Sequence, residues 1–286
     1  MDARTSLLAG GALLAFAGNS ILCRGALAGA HADPATFTLV RLASGAAVLA
    51  AVARARGRTP PPSRSSLARA VALFAYAALF SWAYVRVPAG PGALVLFAAV
   101  QLTMLAAATR AGVGPRGAQW AGLALALGGL ATLTLPGATA PDPWGLVAMA
   151  GAGAAWGAYS LRGRDAGDPT SATARAFLGA LPLAVVVAGI GWQAGTLRCD
   201  ATGLALALAS GAVFSGLGYV VWYAVLPRLP TTTAAIVQLA VPILAAVAAT
   251  LLLGEPPTLR LAVAGAAVLA GIAIATWTKA RPPRPS

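Results

Sequence analysis

Apolar runs of about 20 residues, the length a helix needs to cross a bilayer, recur along the whole chain and are separated by short polar connectors. Ten are predicted, at 6–28, 35–53, 67–87, 91–109, 117–135, 144–162, 173–194, 202–226, 231–253 and 259–277. Connectors such as "GAHADP", "PGATAPDP" and "PRLP" are rich in turn formers. The longest, "RARGRTPPPSRSSLAR", is a basic, proline-rich surface loop and not a domain. The pattern therefore predicts an all-α membrane protein of ten transmembrane helices with no soluble domain.

Composition removes the soluble alternative. Hydrophobic residues make up 59% of the 286 residues and charged ones only 9%, against about 25% charged in a soluble domain. The net charge of +13 would suit a nucleic-acid partner if the basic residues formed one patch. They are instead dispersed among the connectors, so no nucleic acid is expected and the lipid bilayer is the implied surrounding.

Their distribution sets the orientation. With the N-terminus inside, fifteen basic residues fall on the inner side, among them Arg54, Arg56, Arg69, Arg175 and Lys279. Only Arg24, Arg86, Arg198 and Arg260 fall outside. The positive-inside rule then places both termini in the cytoplasm, as an even number of spans requires. "AHAD" at 30–33 has the small residues of a leader cleavage site, but the preceding run is long for a leader and contains Asn19 and Arg24, so it is expected to be retained. Cys23 and Cys199 offer neither a disulfide framework nor a metal spacing, although both tend to the outer side, where a bond between them is conceivable.

The two halves repeat. Gly122 and Gly128 of the fifth span recur as Gly265 and Gly271 of the tenth, and Phe80–Ser81 recurs as Phe214–Ser215. "RLASG" at 41–45 can be set against "RAFLG" at 175–179. Five spans per half give the halves opposite polarity, so residues 1–137 and 138–286 are expected as inverted five-helix repeats around a central midplane cavity.

This layout resembles the drug/metabolite transporter superfamily, EamA type. Arg41 early in the second span, "LAVP" with Pro242 in the ninth, and "LLLGE" ending at Glu255 carry the resemblance, together with Gly265 and Gly271. In the first half the "GE" position reads Ala111–Gly112, so a symmetric role for the glutamate does not follow. Size and aromatic-rich spans are most similar to YddG-type amino-acid exporters. The resemblance implies a multi-pass protein of the bacterial inner membrane that exports small organic solutes. An amino acid with an aromatic or neutral side chain is the implied substrate, carried by a monomer through alternating access without a cofactor. It also implies a cavity lined by the first, third, fourth, sixth, eighth and ninth spans.

Candidate site residues follow from polarity and helical spacing. Polar side chains within spans face the bundle or a wet cavity. For the serines and Thr103 helix–helix hydrogen bonding is the favoured reading; for the amides Asn19, Gln101 and Gln238 it is the cavity. Tyr76, Phe80 and Tyr84 are spaced to share one face, as are Trp156 and Tyr159, and Tyr219 lies in the eighth span. Such stripes serve packing as readily as a ligand wall; the resemblance favours the wall. Trp120, Trp144 and Trp277 lie at span ends and read as interfacial anchors. Pro242 should bend the ninth span and contribute to a gate. Glu255 is expected as a solvated loop carboxylate near Arg260, with proton coupling as its alternative role. Arg41 is expected to tie helices together rather than to bind solute.

Two rival functions are weaker. A sugar-phosphate or nucleotide-sugar carrier needs deep basic residues, and none is expected near the midplane. A catalytic dyad is hard to assemble, because the one histidine, His31, is in an outer loop and no span carries a carboxylate pair. Neither catalytic nor metal-ligating residues are therefore expected. With no carboxylate or histidine near the centre of a span, movement down the solute's own gradient is expected.

Overall fold

Asp33, Asp142 and Asp168 each accept backbone N–H groups of a following first turn, and the proline after each supplies the fixed φ that a helix start requires. Asp200 caps a fourth helix through the Gly203 N–H. A computed structural model describes residues 3–57, 64–110, 112, 117–134, 137, 140–162, 168–229 and 237–277. Among these run ten helices: α1 (Ala3–Ala28), α2 (Pro34–Ala55), α3 (Arg64–Arg86), α4 (Ala89–Arg110), α5 (Ala118–Thr134), α6 (Pro143–Leu161), α7 (Pro169–Gln193), α8 (Ala201–Arg228), α9 (Ala240–Leu253) and α10 (Leu259–Trp277). No strand occurs among the described residues; Ala32 and Cys199 form one isolated bridge.

Six of the helices, α1 to α4, α7 and α8, are long and apolar enough to cross a membrane by length and composition. Over the described residues α5, α9 and α10 are apolar but shorter. The sequence placed the start of the ninth span at 231; residues 230–236 lie outside the described residues, and α9 begins at Ala240 after a turn at Leu239. Pro242 therefore occupies the first turn of α9 and not its middle. Val237 and Gln238, just before the turn at Leu239, are helical, and Pro242 has no N–H to donate to the Gln238 carbonyl four residues back. The helical run is interrupted at Leu239, within the turn that the missing bond would have closed.

The chain runs up and down between a basal end, where α1 begins, and an apical end, where α1 finishes. Outward faces carry exposed large apolar side chains such as Val186, Ile190 and Leu251, the pattern of a lipid-facing surface. Trp120 and Trp144 are exposed at helix starts; the Trp277 side chain lies outside what is described.

α2 packs on α7 and on the middle of α8, α3 and α4 pack on α6, and α5 packs mainly on α10. The last pair shows why glycine is needed. A Cβ on Gly122 would lie 2.5 Å from the Gly271 carbonyl oxygen and 2.9 Å from the Ala275 nitrogen. Small residues let the two backbones touch. Gly122 thus meets Gly271, whereas Gly128 and Gly265 face open space.

Candidate functional site

The inner helices enclose a cavity of about 480 Å³, within the range of small-molecule sites. Helical spacing builds each wall. Phe16, Asn19 and Ser20 come from α1; Phe97, Val100, Gln101 and Met104 from α4; Tyr219, Trp222, Tyr223 and Leu226 from α8. Each set steps by three or four residues and so shares a face. α3 contributes Arg69, Tyr76 and Phe80, and α6 contributes Trp156, Tyr159 and Ser160. Gln238 lines the cavity from the helical residues just before the turn at Leu239. The lining extends from Ser20 and Phe80 down to Pro169 and Leu229 at the basal end.

Aromatic rings form the central wall. Trp156 stacks on Tyr219 at 5.3 Å and on Tyr159 at 5.1 Å, and packs tilted against Tyr76 at 4.9 Å. Phe16 closes this wall against Tyr219 and Trp222. Tyr84, expected on the same wall, is not part of it. Eight residues beyond Tyr76 it has risen about 12 Å and turned about 80° around the helix. Its ring meets Phe80 edge-on at 4.7 Å, fully buried toward the apical end.

Asn19 lines the cavity and also fastens α1 to α8. Its Oδ1 accepts from Ser210 at 2.8 Å, and its Nδ2 donates to Ser215 at 3.3 Å. Two residues five apart lie about 140° apart around an α-helix. Here the segment Ser210–Leu217 is π-helical, and the wider turn brings both hydroxyls to the one amide.

Behind Tyr76 lies Arg41, 1% exposed. Its Nη2 donates to the Tyr76 hydroxyl at 2.9 Å and its Nε to Ser215 at 3.3 Å, while the rings of Tyr76 and Phe80 lie 5.2 and 5.0 Å from the guanidinium carbon. Arg41 thus ties α2 to α3 and α8. Tyr76 and Ser215 are near the middle of their helices, so a basic group does reach the centre of the bundle, contrary to the sequence expectation. Arg69, counted in the sequence only as a basic residue of the inner side, is another surprise. It is 5% exposed, lines the cavity, lies over the Tyr159 ring and donates to the Tyr159 hydroxyl at 3.4 Å.

The apical end is tied shut. Gly254 adopts φ 66°, a left-handed conformation that stops α9 and turns Glu255 back into the bundle. There Glu255 Oε1 accepts from Arg24 Nε at 3.0 Å, and Oε2 accepts from the N–H of Ala89, the first residue of α4, at 2.8 Å. Arg24 also donates to the carbonyls of Tyr84 and Val85. Glu255 is therefore neither solvated nor paired with Arg260; it joins α1, the end of α3, the start of α4 and the end of α9. A second tie links the loops before α2 and α8, where Asp33 accepts from the Arg198 N–H and His31 meets Asp200 at 2.8 Å. The Gly203 N–H, followed by His31, holds the Asp200 carboxyl below the usual carboxylate range. Cys23 is buried and Cys199 exposed, and both are free thiols.

Asn19, Tyr76, Phe80, Gln101, Trp156, Tyr159, Tyr219 and Gln238 thus meet around one space, and Tyr84 does not. Pro242 is buried at the start of α9, outside the wall. Phe16, Phe97, Trp222 and Tyr223 join the lining without having been singled out in the sequence, although the three- and four-residue steps from Asn19, Gln101 and Tyr219 point to them. Among the described residues no three potential metal ligands come together.

Apolar helices around a chamber of rings and amides define a multi-pass membrane protein. The chain belongs to the EamA-like transporter family, which matches it twice, over residues 4–135 and 143–277. It is 51% identical over 273 residues to the uncharacterized protein PA1977 of Pseudomonas aeruginosa, covering 96% of this chain and 94% of that protein. A protein of known crystal structure shares the fold at a TM-score of 0.67 and 21% identity, over 98% of this chain and 100% of the other.

Proposed function

We propose that the protein exports a small organic solute, an amino acid with an aromatic or neutral side chain, across the bacterial inner membrane by alternating access. The observation that carries this reading is the stacked wall of Tyr76, Trp156, Tyr159 and Tyr219 beside Asn19, Gln101 and Gln238 in one cavity. Rings take up the side chain, and the amides supply the few placed polar groups that orient it. The double family match supports a chain of two inverted halves, 1–137 and 138–286, with the site between them.

With the basal end cytoplasmic, as the distribution of arginines favours, the cavity reaches toward the cytoplasm and the apical ties face the periplasm. The structure then corresponds to the state that loads solute from inside. Release requires Glu255 to leave Arg24 and the α4 start while the basal end closes. Counterflow in proteoliposomes against a panel of amino acids, amines and sugars tests the assignment. Saturable exchange of aromatic or neutral amino acids is expected, and exchange confined to sugars would contradict it.

A further inference from the structure

Among the described residues the cavity is cationic, with no carboxylate in its lining. Arg69 lines it, and Arg41 lies one ring behind its wall. Both guanidiniums are more than nine-tenths buried, and Arg41 Nη1 and Arg69 Nε have no hydrogen-bond partner among the described residues. Among the described residues neither pairs with a carboxylate, and no acidic residue lines the cavity. Asp33, Asp142, Asp200 and Glu255 are committed at the apical end. Asp168, which precedes the lining residue Pro169, is engaged in capping α7 through Ser171.

A buried charge without a partner is costly, and a guanidinium retains the field and the donors to attract an anion. The phenol of Tyr159, held by its own bond to Thr173, holds the Arg69 guanidinium on the cavity wall, its carbon 5.0 Å from the ring centre and its Nη2 donating to the hydroxyl. The planar fork of arginine matches a carboxylate. We infer that the solute's carboxylate is the group recognised: it docks on Arg69, while Arg41 makes the chamber unfavourable for a solute that is only cationic. A single guanidinium on a wall otherwise made of rings and amides fits a monoanionic carboxylate better than a phosphate dianion. The inference rests on the cavity being the solute site and adds to that reading which chemical group the site requires.

The test is direct binding to the purified full chain, by calorimetry, of three probes with one ring: phenylpropionate, phenethylamine and phenyl phosphate. Phenylpropionate should bind, and phenethylamine should bind roughly tenfold or more weakly, the size expected for a hydrogen-bonded charge. Arg69→Gln should weaken phenylpropionate by a similar factor and narrow the gap to phenethylamine, while Arg69→Lys, which keeps the charge but loses the planar fork, should retain only part of the affinity. Equal affinity for the amine and the acid in the wild-type chain overturns the inference, even if Arg69→Gln fails to fold. So does an unchanged phenylpropionate affinity in Arg69→Gln, or tighter binding of phenyl phosphate. Carboxylate binding without exchange in proteoliposomes would instead sink the transporter reading and leave this inference standing.

Discussion

Replacing Glu255 by glutamine keeps the shape of the apical tie and removes its charge. The carboxylate makes two charge-assisted bonds, to Arg24 at 3.0 Å and to the Ala89 N–H at 2.8 Å, and both partners of the ion pair are less than one-fifth exposed. Such bonds contribute about 1.5–3 kcal/mol each. The amide oxygen still accepts from Ala89, and Arg24 keeps the carbonyls of Tyr84 and Val85. The loss is therefore about 2 kcal/mol, roughly a 30-fold shift toward the apically open state. A cysteine at Ser20, at the top of the cavity lining and 1% exposed, reports that shift once Cys23→Ala and Cys199→Ser remove the native thiols. In intact cells a membrane-impermeant maleimide reaching the periplasm should label Ser20→Cys roughly 30 times faster when Glu255→Gln is added. Arg24→Gln should act alike, and the two together should fall short of additive because they break one interaction. Labelling that is indifferent to Glu255→Gln would refute the assignment of this tie as the periplasmic gate.

Three further outcomes are expected. Gly122→Ala should destabilise the chain by about 1–3 kcal/mol through overpacking against Gly271, whereas Gly128→Ala, which meets nothing within 4 Å, should be neutral or stabilising; thermal unfolding in detergent separates them. A reporter fused after Gly57 should behave as cytoplasmic and one after Ala140 as periplasmic, the reverse at either site breaking the ten-span topology. An imposed pH gradient at fixed membrane potential should not drive solute accumulation in proteoliposomes, because no described carboxylate or histidine lines the cavity; accumulation that Glu255→Gln abolishes would make Glu255 a proton carrier.

Features governed by spacing within one helix were legible in the sequence. Length and apolarity placed the helices, and the three- and four-residue steps brought Tyr76 with Phe80 and Trp156 with Tyr159 onto shared faces. The same rule over-reached at Tyr84, because each four-residue step advances 40° and two such steps leave the face. Glu255 was misjudged because its partners, Arg24 and Ala89, are 231 and 166 residues away in the chain. Arg69 was hidden by its position: near a helix start, a basic residue looks like part of the positive-inside pattern until its burial over Tyr159 is seen. The π-helical segment of α8 has no sequence signal beyond Ser210 and Ser215 standing five apart. Only the location of Asn19 between them shows why the turn widens.

The account stands most directly on Trp156, the ring that touches Tyr76, Tyr159 and Tyr219. Counterflow of labelled phenylalanine should be measured in proteoliposomes holding equal amounts of folded wild-type, Trp156→Ala and Gln101→Ala protein. The wild-type chain should show saturable exchange, reduced by roughly tenfold in Trp156→Ala, where stacking contacts and buried area are both lost, and reduced also in Gln101→Ala. Exchange at the wild-type rate in both variants would show that the solute does not pass through this cavity.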